Sequence, residues 1–144
     1  MKKKKLIITI IIFLSFMDIN LLCAQSAQEY FSKGTALSNS GDYNQAAIYL
    51  SRAIDTNSRY IPAYIALAVV YINQKSYYQA ISTLNTAISI DGRNDNAYYL
   101  LAMVYEETGD IYSAISTWER YLTINPRGSR TDIAREHLKN LKGR

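Results

Sequence analysis

The sequence predicts an all-α protein: three helix pairs stacked in line, closed by a C-terminal capping helix. Three observations carry that expectation. They are a 34-residue repeat in strict phase, apolar stripes at helical spacing inside each copy, and no alternating apolar runs bounded by hairpin turns. Residues 34 apart match in kind: Tyr30, Tyr64 and Tyr98; Gly34, Ala68 and Ala102; Ala46, Ala80 and Ala114. Tyr43, Tyr77 and Ile111 keep the same interval, as do Leu50, Leu84 and Trp118, then Ile54, Ile88 and Leu122. No insertion disturbs the phase. A period of this size marks one supersecondary unit per copy, which buries its apolar face only against its neighbours. The product is a short superhelical scaffold.

The elements follow in order. The spacing predicts helices over 27–40, 43–57, 61–74, 77–90, 95–108 and 111–124. Tyr30, Phe31, Gly34 and Leu37 share one stripe, which breaks at Asn39-Ser40-Gly41-Asp42. Ala46, Ala47, Leu50, Ala53 and Ile54 then form the next. Asp42 with Gln45, and Ser76 with Gln79, are spaced as capping boxes, while Asp110 faces Ser113 and keeps half the device. Pro62 suits the first turn of its helix, and Pro126 after Asn125 reads as a stop. Gly41 and Gly109 relax the turns inside the pairs. Small residues such as Ala80 let backbones approach, and Tyr64, Tyr71, Tyr98, Tyr105 and Trp118 fill the wider gaps. The segment Ser129 to Lys142 keeps an apolar stripe through Ile133, Ala134, His137, Leu138 and Leu141 but leaves the repeat at Asp132 and Arg135. A terminal unit needs a more polar outer face, so this segment is a capping helix.

These residues resemble the tetratricopeptide repeat family, whose 34-residue helix–turn–helix pattern is W-x2-L-G-x2-Y, then Ala, a large apolar residue and Pro. The second unit carries Tyr64, Leu67, Ala68, Tyr71, Tyr77, Ala80, Leu84 and Ala87. The third carries Tyr98, Leu101, Ala102, Tyr105, Gly109-Asp110, Ala114, Trp118 and Pro126. The first departs at Lys33, where Leu67 and Leu101 stand, and the third at Tyr121, where Ala53 and Ala87 are small. The likeness covers 102 residues, 27–128, in units 27–60, 61–94 and 95–128, followed by the cap and basic tail 129–144.

The resemblance implies a right-handed superhelix with a concave surface built by the first helix of each unit. It also implies that this surface binds a protein or peptide partner. Carried over unit by unit, the groove candidates are Phe31 and Thr35, then Ile65, Val69 and Ile72, then Tyr99, Leu100, Met103 and Glu106. Seven of these nine are apolar or aromatic, which suits a hydrophobic or amphipathic segment. The subfamily that clamps chaperone C-termini uses Lys, Arg and Asn on this face. Only Asn39 and Asn73 lie nearby here, which argues against that specificity. Two rival expectations are a strip buried by self-association or by the N-terminal segment folding back, and an accessory subunit of an envelope complex.

The N-terminal 1–26 has the layout of an export signal: Lys2 to Lys5, then the apolar run Leu6 to Met17, then Asp18 and Asn20. The run is short for a bilayer span, which needs ~20 apolar residues. Cleavage after Ser26 is favoured over cleavage after Ala24. Cys23 offers a second fate, lipidation at the start of the mature chain, although Leu22 precedes it where lipoproteins usually carry Gly, Ala or Ser. Export to the bacterial periplasm or envelope is the expected location, with a lipid anchor as the one route to a membrane. Cys23 is the only cysteine, so the folded part can form no internal disulfide.

Bulk charge excludes one partner class. Removing Lys2 to Lys5 and Asp18 leaves 12 basic and 11 acidic residues, no electrostatic reason to expect nucleic acid. Chemistry is equally unsupported. His137 is the sole histidine and has no nucleophile beside it, and Glu106 and Glu107 point about 100 degrees apart on a helix. Asp91, Asn94, Asp95 and Asn96 lack the calcium-loop order. No phosphate-binding glycine loop is present. The expectation is a non-catalytic protein without metal or cofactor.

Overall fold

A computed structural model describes residues 26–143; all of the expected 1–26 leader except Ser26, Cys23 included, lies outside them. The chain runs through α1 (26–39), α2 (Tyr43–Thr56), α3 (Ile61–Asn73), α4 (Tyr77–Ile90), α5 (Asp95–Glu107), α6 (Ile111–Ile124) and α7 (Thr131–Lys142). The described residues hold no strand. Predicted and observed ends agree to within a residue or so for α1 to α6. The cap starts two residues later than Ser129.

Each helix from α2 onward packs against the next, and α3 also meets α5 directly. First helices thus form an inner layer, and second helices lie outside it. Ala46, Ala80 and Ala114 are fully buried, as are Ala68 and Ala102, so the phase of small residues is the phase of closest backbone approach. Gly34 shows why size matters there. A Cβ on it would lie 2.7 Å from Leu50 Cγ, inside contact distance of a fully buried side chain.

The turns inside the pairs share one hydrogen-bond pattern. Asp42 N–H donates to Leu37 O at 3.0 Å, Ser76 to Tyr71 O at 2.8 Å, and Asp110 to Tyr105 O at 2.9 Å. This is a Schellman closure, which places the preceding residue in the left-handed region. Gly41 and Gly109 take that place at φ 84° and 76°, and Lys75 takes it in the second unit at φ 57°. An L side chain there is strained by ~1–2 kcal/mol, and glycine is not. Lys75→Gly is therefore expected to raise stability by up to ~1 kcal/mol, after allowing for glycine's extra freedom in the unfolded chain. Urea denaturation of the variant checks it; an equal or lower midpoint refutes the strain.

Capping corrects one expectation. Asp42 Oδ1 accepts from Gln45 N at 3.1 Å, and Asp110 Oδ1 from Ser113 N at 3.1 Å. Ser76 has a closely similar backbone, yet its hydroxyl makes no cap bond. Neither glutamine returns the second arm of a capping box. The α7 stripe also narrows: Ala134 and Leu141 are buried and Leu138 packs on the core, while Ile133 is 45% exposed.

Candidate partner-binding groove

The repeat phase sorts the candidates into columns on the first helices. Phe31, Ile65 and Tyr99 form one column, and Thr35, Val69 and Met103 another. Ile72 and Glu106 form a third, and Leu100 stands next to Tyr99 in sequence, outside these columns. Inner-layer positions of this kind face neither fully inward nor fully outward. Ile65, Ile72 and Leu100 are half-buried against the central core cluster. Phe31 packs on the first cluster and Tyr99 on the third. Val69 is half-buried, and Met103 is 40% exposed. The strip is apolar, continuous in phase and partly open.

Its two ends are built differently. At the N-terminal end, Phe31 meets the Tyr60 ring edge-on at 5.4 Å, and the Tyr60 hydroxyl donates to Gln28 Oε1. Burial raises the Tyr60 pKa above the ordinary phenol value, so this hydroxyl stays protonated. Thr35 Oγ1 donates to Ser32 O at 2.9 Å and is locally satisfied.

At the C-terminal end the protein covers part of its own strip. Tyr99 lies edge-on to Trp118 at 5.2 Å and to Tyr121 at 5.6 Å. The Arg130 guanidinium sits 4.4 Å over the Tyr99 ring and also donates to Asn96 Oδ1. Such stacking is a cation–π contact. Tyr121 is fully buried, and that burial raises the pKa of its hydroxyl above the ordinary phenol value, against the opposing pull of the nearby Arg130 guanidinium. It occupies the place that Ala53 and Ala87 hold in the other units. The junction after it is the longer one: six residues separate α6 from α7, against four between α2 and α3 or between α4 and α5.

Glu106 is not a free groove carboxylate. Its Oε1 accepts from Trp118 Nε1 at 2.6 Å and lies 2.9 Å from His137 Nδ1. The His137 ring stacks on Trp118 at 5.2 Å and 30°. The His137 side chain is 39% exposed, yet it belongs to this cluster. A signal was present: His137 continues the phase of Thr35, Val69 and Met103 by one more interval of 34. The cluster ties cap to third unit and holds no nucleophile. Among the described residues no group of three His, Cys, Asp or Glu could hold a metal, and no helix is long and apolar enough to cross a membrane.

Comparison with known proteins decides the family. Two tetratricopeptide-repeat family profiles match, one over residues 38–92 and one over 95–127, together more than half of the chain. The chain is a tetratricopeptide-repeat protein. Curated proteins yield no match. Among solved structures, this tetratricopeptide-repeat chain is similar to the TPR domain of Arabidopsis OM64, with TM-score 0.75 and 20% identity over 82% of this chain and 98% of that one. It is similar to the TPR2B domain of yeast Sti1 in its Hsp70 complex, with TM-score 0.78 and 20% identity over 83% and 98%. The Yersinia enterocolitica type III secretion translocator chaperone SycD gives TM-score 0.77 and 13% identity over 83% and 93%. At these identities the likeness shows the fold, an all-helical repeat solenoid.

Proposed function

We propose that this tetratricopeptide-repeat protein is a non-catalytic scaffold or adaptor of the bacterial envelope. Its groove takes an apolar or amphipathic segment of another protein. The observation that carries the reading is the half-buried strip whose columns recur once per unit and open at Met103. Apolar surface of this kind on one face marks an interaction site. Structural relatives support the mode: the yeast Sti1 domain is seen in a complex with Hsp70, and SycD is a translocator chaperone. The basic n-region, Lys2 to Lys5, with the short apolar run after it, supports export.

A charge placed on the strip tests the groove. Val69→Glu and Met103→Glu are expected to weaken capture of the partner from an envelope fraction by more than roughly tenfold, the penalty for leaving a carboxylate unpaired in an apolar contact. Melting temperature and helicity should stay near those of the parent protein, because Met103 is exposed and Val69 half-buried. Undiminished capture by both variants defeats the groove.

A second reading, self-association, is favoured by Tyr78 and Tyr112. They are 88% and 90% exposed and share one repeat phase at the starts of the second helices α4 and α6. Light scattering over a concentration series separates the two, since a monomer at high concentration rejects self-assembly.

A further inference from the structure

A cleft of about 200 Å³ lies between the second and third units, lined by Arg93, Arg120, Thr123 and Ile124. Arg93 comes from the loop joining α4 to α5, and the other three from the last turns of α6. The groove candidates sit on α1, α3 and α5, so this is a separate place. Among the described residues neither guanidinium takes a hydrogen bond, an ion pair or a ring contact. Neighbouring acids are engaged elsewhere. Asp91 Oδ1 accepts the backbone N–H of Arg93 at 2.9 Å, Asp95 accepts from the Asn125 amide, and Glu119 pairs with Lys142 at 2.7 Å.

Repeat phase shows that this pairing is local. Arg59, Arg93 and Arg127 stand 34 apart at the ends of the three units. Arg120 corresponds to Thr86 one unit earlier, so the first junction sets Arg59 against a threonine. Arg52, in the same phase as Arg120, lies 5.3 Å over the Tyr49 ring. Among the described residues, only the second junction gathers two uncommitted cations. Like charges lining one cleft repel, and an anion between them converts repulsion into attraction. The carbonyl end of α6 opposes an anion, so one arginine would be a weak host and two are needed. A carboxylate satisfies a single guanidinium fork with its two oxygens, whereas a phosphate has oxygens for both forks.

We propose that the Arg93–Arg120 cleft is a phosphate site at the junction of the second and third repeats, independent of the groove. The test follows arginine Nε–Hε signals by NMR in the full chain, titrated with inorganic phosphate and, at equal ionic strength, with acetate. Saturable shifts are expected at Arg93 and Arg120, with Arg59 unmoved by comparison and acetate weaker. Arg93→Ala and Arg120→Ala should each lose roughly tenfold or more in phosphate affinity, the scale of a charge-assisted hydrogen bond. Both side chains belong to exposed residues, so unchanged melting confirms that the variants fold. A parallel titration with phosphoserine assigns the source: tighter binding than inorganic phosphate points to a phosphorylated partner, and equal or weaker binding to free phosphate. Non-saturating shifts, or the same response at Arg59, overturn the site.

Discussion

Trp118→Ala is expected to cost about 3–5 kcal/mol, the range for removing a large buried aromatic. Trp118 has no exposed surface and makes edge contacts with Tyr99 and Tyr121. Its ring also carries the stacked His137, and its Nε1 donates to Glu106. Truncation opens a cavity beneath three rings and removes one of the two partners of the carboxylate that ties α7 to α5. A loss of that size is a large part of a small domain's stability, which is typically ~5–15 kcal/mol. Urea denaturation measures it, and amide exchange should show α7 losing protection first. Trp118→Phe retains much of the volume but not the donor, so it should fall between. A Trp118→Ala loss below about 1 kcal/mol would mean that the third unit and cap are held by something else.

Ala80→Leu is the second large effect, expected to cost ~1–3 kcal/mol through overpacking. Ala80 has no exposed surface and lies in the central cluster with Tyr64, Ala68, Leu84 and Leu101. The same phase is Ala46 in the first unit and Ala114 in the third, both fully buried. Extra methyl groups there push the backbones of a helix pair apart rather than filling a void. The exposed Asn85→Leu, on the same helix, is the control and should change stability by less than about 0.5 kcal/mol. Thermal unfolding of the two variants discriminates them: equal midpoints would show that the small-residue phase does not report close approach.

Legibility differed from residue to residue. The six helices of the repeats were readable because their stripes are local and recur with fixed phase, so each copy corroborates the others. Turn geometry was half readable. Gly41 and Gly109 announce a left-handed residue, whereas Lys75 adopts the same conformation without any chemical signature, because the closure of the pair imposes it. The cap at Ser76 is a similar case: spacing identifies a capping box, but the orientation the side chain takes in the fold decides whether it closes. In the groove, phase placed the columns, yet it did not show that Arg130 covers Tyr99 or that Glu106 is committed to Trp118 and His137. The Arg130 and His137 contacts each span 31 residues and cross from the third unit to the cap, where the repeat is broken, while Glu106 and Trp118 meet across the helix pair inside that unit.

The amino-acid order alone determined the class, the number of units and the register of their buried faces, since a strict period of 34 leaves one way to stack equivalent helix pairs. Tertiary structure decided how the ends close. Tyr121 is large where its counterparts are small, and the displaced cap brings Arg130 and His137 over the third unit. It also decided which charges stay free, because an arginine's commitment depends on what the neighbouring unit places opposite it. Periodicity is a property of the chain, whereas closure and leftover charge arise only where unlike surfaces meet.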